Sequence, residues 1–125
     1  MGNEKENLLE HRTREFALRV IRLVDSLPQK QTAKTIGHQL LRCGTSVGAN
    51  YRAACRARSL AEFRAKLGIV EEEADESIYW MEILIEAIIV REELLSGLIQ
   101  ETNEILAMVV ASIRTSRNTK QRAPR

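Results

Sequence analysis

The densest chemistry in the chain is the run Glu71-Glu72-Glu73-Ala74-Asp75-Glu76, five carboxylates in under two helical turns. Clustered carboxylates can bridge metal ions or trade protons as acid and base. A carboxylate-bridged di-iron bundle, however, needs Glu-x-x-His pairs facing its core. His11 and His38 are the only histidines, and Leu8 and Thr35 stand three residues before them. Val70 and Ala74 fall on an apolar seam, which turns most of the carboxylates outward or sideways. The run is therefore expected to be a solvated or interface face, with Glu72 and Glu76 within reach of Lys or Arg on a neighbouring helix. Cys43 and Cys55 are twelve residues apart. On one helix that is about 18 Å, beyond the ~7 Å a disulfide can span. They are expected to be small, reduced apolar side chains. There is no P-loop, Gly-rich dinucleotide turn, zinc spacing or Ser/His/Asp set. The expectation is a protein with no enzymatic activity, no metal and no cofactor.

The cations offer binding rather than catalysis. Net charge is only +2, but residues 29–66 hold eight basic and one acidic side chain, and residues 67–104 hold one basic and eleven acidic. Residues 1–28 balance, and residues 105–125 add five basic side chains. Such asymmetry suggests a polyanion footprint on one part of the molecule. Cations near helix C-termini are also explained by the macrodipole, which covers Arg56, Arg58, Arg114 and Arg117 but not Arg64 and Lys66, near a helix N-terminus. Three readings of the cluster stand: a nucleic-acid interface, a solvated face, and an acidic protein partner.

The elements that must position these groups are helices. Leu9, Phe16, Val20, Leu23 and Leu27 recur at helical spacing, with a gap at Thr13, and predict a first helix over about 7–26 that Pro28 ends. A second, over about 31–57, carries one stripe of Ile36, Leu40, Cys43, Val47, Asn50 and Ala54 and a parallel stripe that includes Gly37, Gly44 and Gly48. Three glycines on one face imply either a closely packed neighbour or a weak helix. Ser59 and Glu62 form a capping box for a third helix over about 59–90. Its seam runs Leu60, Phe63, Leu67, Val70, Ala74, Ser77, Met81, Leu84, Ile88. Trp80 and Tyr79 beside it read as packing anchors rather than base-stacking platforms. The fourth, over about 94–117, has the seam Leu95, Leu98, Thr102, Ile105, Val109, followed by a basic tail at 118–125 expected to fray.

Four helices joined by short loops predict an all-α, antiparallel up-down-up-down four-helix bundle. One end of it would gather Arg12, Arg14, Arg52, Arg56, Arg58, Arg64, Lys66, Arg114, Arg117, Lys120, Arg122 and Arg125, twelve of the nineteen Lys and Arg. The opposite end would hold Asp25, Glu82, Glu86, Glu92, Glu93, Glu101 and Glu104. The apolar stripes of the third and fourth helices exceed one seam, which suggests a subunit interface or a grip on a protein partner.

With 125 residues, 44% hydrophobic and 29% charged, the chain fits one globular domain. No apolar run approaches the roughly 20 residues of a membrane span, and the N-terminus lacks a signal core. Glu6 stands where a myristoylation motif wants Ser or Thr. A cytoplasmic protein without a membrane partner is expected.

The stretch from Gln39 to Ala87 resembles the four-helix-bundle family first met as proteins encoded in intervening sequences of large-subunit ribosomal RNA genes. The most specific elements are TSVGAN at Thr45–Asn50 and DESIYW at Asp75–Trp80; FALRVIRLVDSLP at Phe16–Pro28 and ASIRTSR at Ala111–Arg117 match as well. The chain differs from the pattern at Gly48, where Pro is frequent, at Ala53, where Glu is frequent, and at Cys43, usually Ser or Ala. The resemblance implies small bacterial bundles that form homo-oligomers, five-membered rings among them, so a pentamer is one expected assembly. A related branch, the accessory variability protein of diversity-generating retroelements, is a basic ring that binds nucleic acid and a reverse transcriptase. RNA or DNA, and a protein such as a reverse transcriptase, are thus the partners implied. On the residues themselves, the nucleic-acid-binding candidates are Arg52, Arg56, Arg58, Arg64, Lys66, Arg114 and Arg117.

Overall fold

A computed structural model describes residues 4–122, with side chains through Asn118. It contains α1 (Glu4–Asp25), α2 (Gln31–Cys55), α3 (Leu60–Glu86) and α4 (Glu92–Arg122), with no strand among the described residues. Residue pairs set the directions. Gly37 of α2 faces Val24 and Leu27 of α1, Gly44 faces Val20, and Gly48 faces Thr13, so the two helices run opposite ways. Arg64 meets Ser116 across α3 and α4, while Glu82 shares a groove with Ile99. Lys5 and Thr115 line one cleft, and Arg12 reaches Glu101, which closes α1 against α4. Helices adjacent in the ring touch and the diagonal pairs do not, which is the expected up-down-up-down bundle.

The seams account for the core. Leu9, Thr13, Phe16 and Val20 are buried from α1, and Leu40, Cys43, Val47, Tyr51 and Ala54 from α2. From α3 come Leu67, Val70, Ala74, Ser77, Met81 and Leu84, and from α4 Leu95, Leu98, Thr102, Ile105 and Val109. The buried hydroxyls turn back on their own helices. Thr13 donates to Glu10 O at 3.2 Å, Ser77 to Glu73 O at 2.8 Å, and Thr102 to Leu98 O at 2.7 Å. No buried side-chain nitrogen or oxygen among the described residues lacks a partner, which removes the main cost of polar groups in a core.

The glycine face of α2 is a close approach. A Cβ at Gly44 would stand 3.0 Å from both γ-methyls of Val20, and one at Gly48 would stand 3.3 Å from the backbone oxygen of Thr13. α2 is nevertheless one continuous helix. Ser59 caps α3 by accepting from Glu62 N at 3.0 Å, and the Glu62 carboxylate accepts from Arg58 N–H, one residue before the usual return point.

Three expectations need correction. Ile88 does not extend the α3 seam: it is 91% exposed, because the helix ends at Glu86. Ile88 adopts φ 58, while its N–H donates to Ile85 O and that of Ile89 to Leu84 O. This is a Schellman closure with a β-branched residue at the left-handed position that normally takes Gly. α4 continues to Arg122, beyond the end expected at Arg117, since no Pro or Gly interrupts it before Pro124. The rest of the expected tail, 123–125, lies outside the described residues. Third, Glu92–Asn118 of α4 is long and apolar enough to meet a length-and-composition test for a membrane span. Of its apolar residues only the core seam Leu95, Leu98, Ile105 and Val109 is buried in the bundle.

Candidate nucleic-acid interface

The bundle brings the start of α1, the α2–α3 turn and the end of α4 to one end. A cleft of about 210 Å³ marks the convergence, lined by Lys5, Tyr51, Leu60, Phe63 and Thr115 among others. None of the seven candidate cations lines it, but Arg52, Arg64, Arg114 and Arg117 are chain neighbours of its lining residues Tyr51, Phe63, Thr115 and Ser116. Arg52, Arg56, Arg58, Arg114 and Arg117 are exposed, and Arg64 and Lys66 are half-buried. Arg56 is the C-cap of α2, where the helix dipole favours a cation. Arg64 donates through Nη1 to Ser116 O at 3.5 Å, a contact that points its guanidinium at the end of α4. Arg114 lines the α3–α4 groove opposite Glu71, Glu72 and Asp75, so its surroundings are mixed rather than basic. Acidic residues of this end are Glu4, Glu6, Glu10 and Glu62. Lys120, Arg122 and Arg125, also expected here, fall outside the described side chains.

Arg12 departs from its expected place. Its Nη2 lies 2.6 Å from Glu101 Oε1 and 2.6 Å from Glu104 Oε1, and its Nε donates to Glu101 Oε2 at 2.9 Å. Arg12 was expected at the basic pole and both glutamates at the acidic one; all three meet near the waist. Arg12 lies two turns inside α1 and Glu101 more than two turns inside α4, so antiparallel packing sets them level. The signal was in the sequence: Arg12 precedes buried Thr13, and Glu101 precedes buried Thr102, so both flank the α1–α4 seam. Hydrogen bonds from Arg12 and Gln100 hold the Glu104 carboxyl below the usual carboxylate range. Arg14 was expected at the basic end, and its immediate neighbour is now visible: it shares a cleft of about 200 Å³ with Arg52, Thr45 and Gly48.

The acidic run divides as its seam requires. Arg42 on α2 pairs with Glu73 at 3.3 Å and with Glu76, whose other partner is the Trp80 indole N–H at 3.1 Å. Glu76 thus meets α2 as expected, whereas Glu72 faces the α3–α4 groove and Glu73 takes its place. The Arg42 and Trp80 hydrogen bonds lower the Glu76 pKa. Among the described residues no group of three or more His, Cys, Asp or Glu could hold a metal ion. Cys43 is buried, with Ser77 Oγ 3.3 Å from its sulfur, and Cys55 is half-buried; burial raises both thiol pKa values. Neutral, shielded thiols are poor nucleophiles. Trp80 packs half-buried against the core, with Tyr79 at its edge (ring centroids 4.9 Å apart, planes at 74°) and 52% exposed.

The sequence profile of the 23S rRNA-intervening sequence proteins matches residues 5–111. The chain belongs to this family. A crystal structure of a protein of unknown function from the S23 ribosomal protein family of Bacteroides thetaiotaomicron superimposes with a TM-score of 0.83 at 35% identity, covering 88% of this chain and 98% of that one. Among curated proteins none matches. The family match thus spans α1 to α3 and the larger part of α4. TSVGAN, the motif that carried the resemblance, includes Gly48, where an added Cβ would stand 3.3 Å from the α1 backbone oxygen of Thr13.

Proposed function

We propose that this intervening-sequence protein is a non-enzymatic, self-associating bundle that binds RNA or DNA through the end built from the α2–α3 turn and the close of α4. One observation carries the reading. The four ion pairs among the described residues use only Arg12 and Arg42, so Arg52, Arg56, Arg58, Lys66, Arg114 and Arg117 have no carboxylate within 4.0 Å. Guanidinium groups left to solvent can exchange counterions for phosphates, whereas those locked to glutamate cannot. Self-association would repeat a modest patch several times and raise avidity without new contacts.

Fluorescence anisotropy with a labelled duplex across a salt series tests the reading. The log–log slope of affinity against salt should lose about 0.9 for each phosphate contact removed, or ~0.7 on a single strand. Arg56→Gln with Arg58→Gln should flatten it accordingly. Salt-independent binding, or an unchanged slope in the double variant, refutes the assignment. Light scattering after size exclusion tests self-association separately, and a monomer at assay concentration removes that half of the proposal. A second reading, an adaptor for a protein partner, draws support from the groove between α3 and α4.

A further inference from the structure

The outer face between α3 and α4 is a long groove that begins at the α3–α4 turn and runs as far as Arg114. Its first part, about 740 Å³, runs between Glu82, Ile85 and Glu86 on one wall and Glu92, Ile99 and Ala107 on the other. A second part, about 840 Å³, shares Asn103 and Ala107 with it and continues over Gly68, Leu106 and Val110. All the charged residues of the first part are glutamates: Glu82, Glu86, Glu92 and Glu104. Only Glu104 is engaged by a cation, Arg12. The turn closing this end carries Ile88, 91% exposed and held at φ 58 against the preference of a branched Cβ. Apolar floor and a largely unpaired acidic rim thus share one surface, and the strained Ile88 sits in the turn that joins its two walls. Strain and exposure of that kind mark contact sites.

The rim decides the class of occupant. Four carboxylates repel nucleic acid and anionic lipid headgroups alike. A purely polar cation would leave Ile85 and Ile99 uncovered. A trough between two antiparallel helices receives a third helix by ridges-into-grooves packing, read through apolar side chains at i, i+3 or i+4, and i+7. A second copy of this chain offers that chemistry less cleanly. The outer face of α2 is basic but exposes no large apolar residue, and the exposed Leu8, Leu18 and Ile21 of α1 stand among Glu15 and Asp25 as well as Arg14, Arg19 and Arg22. We propose that the α3–α4 groove docks a basic amphipathic helix of a partner protein. Apolar side chains of that helix cover Ile85 and Ile99, and its Lys or Arg flanks meet Glu82, Glu86 and Glu92. The part of the groove that holds Ile85 and Ile99 contains none of the nucleic-acid-binding candidates, and docking there does not depend on them.

The probe is a fluorescein-labelled peptide of about 18 residues, with Leu at helical spacing and Lys elsewhere, read by anisotropy near physiological salt. The control has the same composition with Leu at every second position. Helical spacing should bind, and Glu82→Gln with Glu86→Gln should weaken it roughly tenfold. Ile88→Gly, which relieves the left-handed strain and so keeps the fold, should weaken it several-fold. Arg56→Gln with Arg58→Gln, which lowers nucleic-acid affinity if the basic end is the interface, should leave peptide binding unchanged. Equal binding of the two peptides, or of the groove variants and the parent, overturns the proposal. So does dissociation of a peptide-free oligomer by Ile88→Gly, which would make the groove a contact between copies.

Discussion

Replacing glycines by alanine separates two explanations of the α2 stripe. In a helix interior Ala is favoured over Gly by about 1 kcal/mol, so a merely weak helix would gain that much at each site. Close packing reverses the sign where the new methyl has nowhere to go. At Gly68 nothing lies within 4 Å of an added Cβ, and Gly68→Ala should stabilise by the full ~1 kcal/mol. At Gly44 the added carbon would stand 3.0 Å from both methyls of Val20, which is fully buried and stiff about χ1. Overpacking of that kind costs about 1–3 kcal/mol, so Gly44→Ala should range from neutral to about 2 kcal/mol destabilising. Gly48→Ala should fall between, because Thr13 O at 3.3 Å can retreat only if α1 shifts. Gly37→Ala should be the mildest of the α2 set, since Leu27 Cδ1 at 3.0 Å is the end of a half-buried, flexible side chain. Urea unfolding followed by circular dichroism gives the ranking, with each kcal/mol worth roughly 3–5 °C in Tm at this size. A Gly44→Ala variant as stable as Gly68→Ala refutes the close approach.

Ile88→Gly should stabilise the fold by about 0.5–1 kcal/mol, because a left-handed L-residue costs ~1–2 kcal/mol and glycine's extra unfolded freedom returns only part of it; thermal melts that show a loss exclude the Schellman geometry. Trp80 is the only tryptophan, and its emission should change as Glu76 is protonated, below the ordinary glutamate range of about 4.3. Because the folded pKa is lowered, the stability that Glu76 adds is present above the unfolded value and disappears as pH falls through the folded one. Glu76→Gln should abolish that acid step, and its persistence would assign the step elsewhere. Cys43 and Cys55 should resist a thiol reagent at neutral pH in the native state and react fully in denaturant; rapid native labelling of Cys43 would contradict its burial.

The parts of the fold readable from sequence are those set by local periodicity. The α4 seam Leu95, Leu98, Thr102, Ile105, Val109 is buried throughout, because three-four spacing on a helix leaves no choice of face. Ser59 and Glu62 announced the start of α3 for the same local reason. The end of α3 was hidden, since Ile88 continues the apolar spacing and only the backbone turn takes it out of register. Pole membership was also less readable than seam membership. Sequence distance from a helix end does not say how far the helices are offset along their axes, and that offset brought Arg12 level with Glu101. The candidate cations were visible from charge runs alone. So was the grouping of Glu82, Glu86 and Glu92 at one end; that they rim one groove floored by Ile85 and Ile99 was not, because it needs residues of two helices seen side by side.

Arg12 ties together the only neighbouring helices that are not consecutive in the chain. Every other seam joins successive helices, so those seams assemble through short-range encounters and place the molecule among rapid folders. The join between first and last helix has the longest loop to close and is expected to form after the climb to the barrier. Losing the guanidinium should therefore leave the refolding limb of a chevron nearly where it was and raise the unfolding limb, shortening the native lifetime.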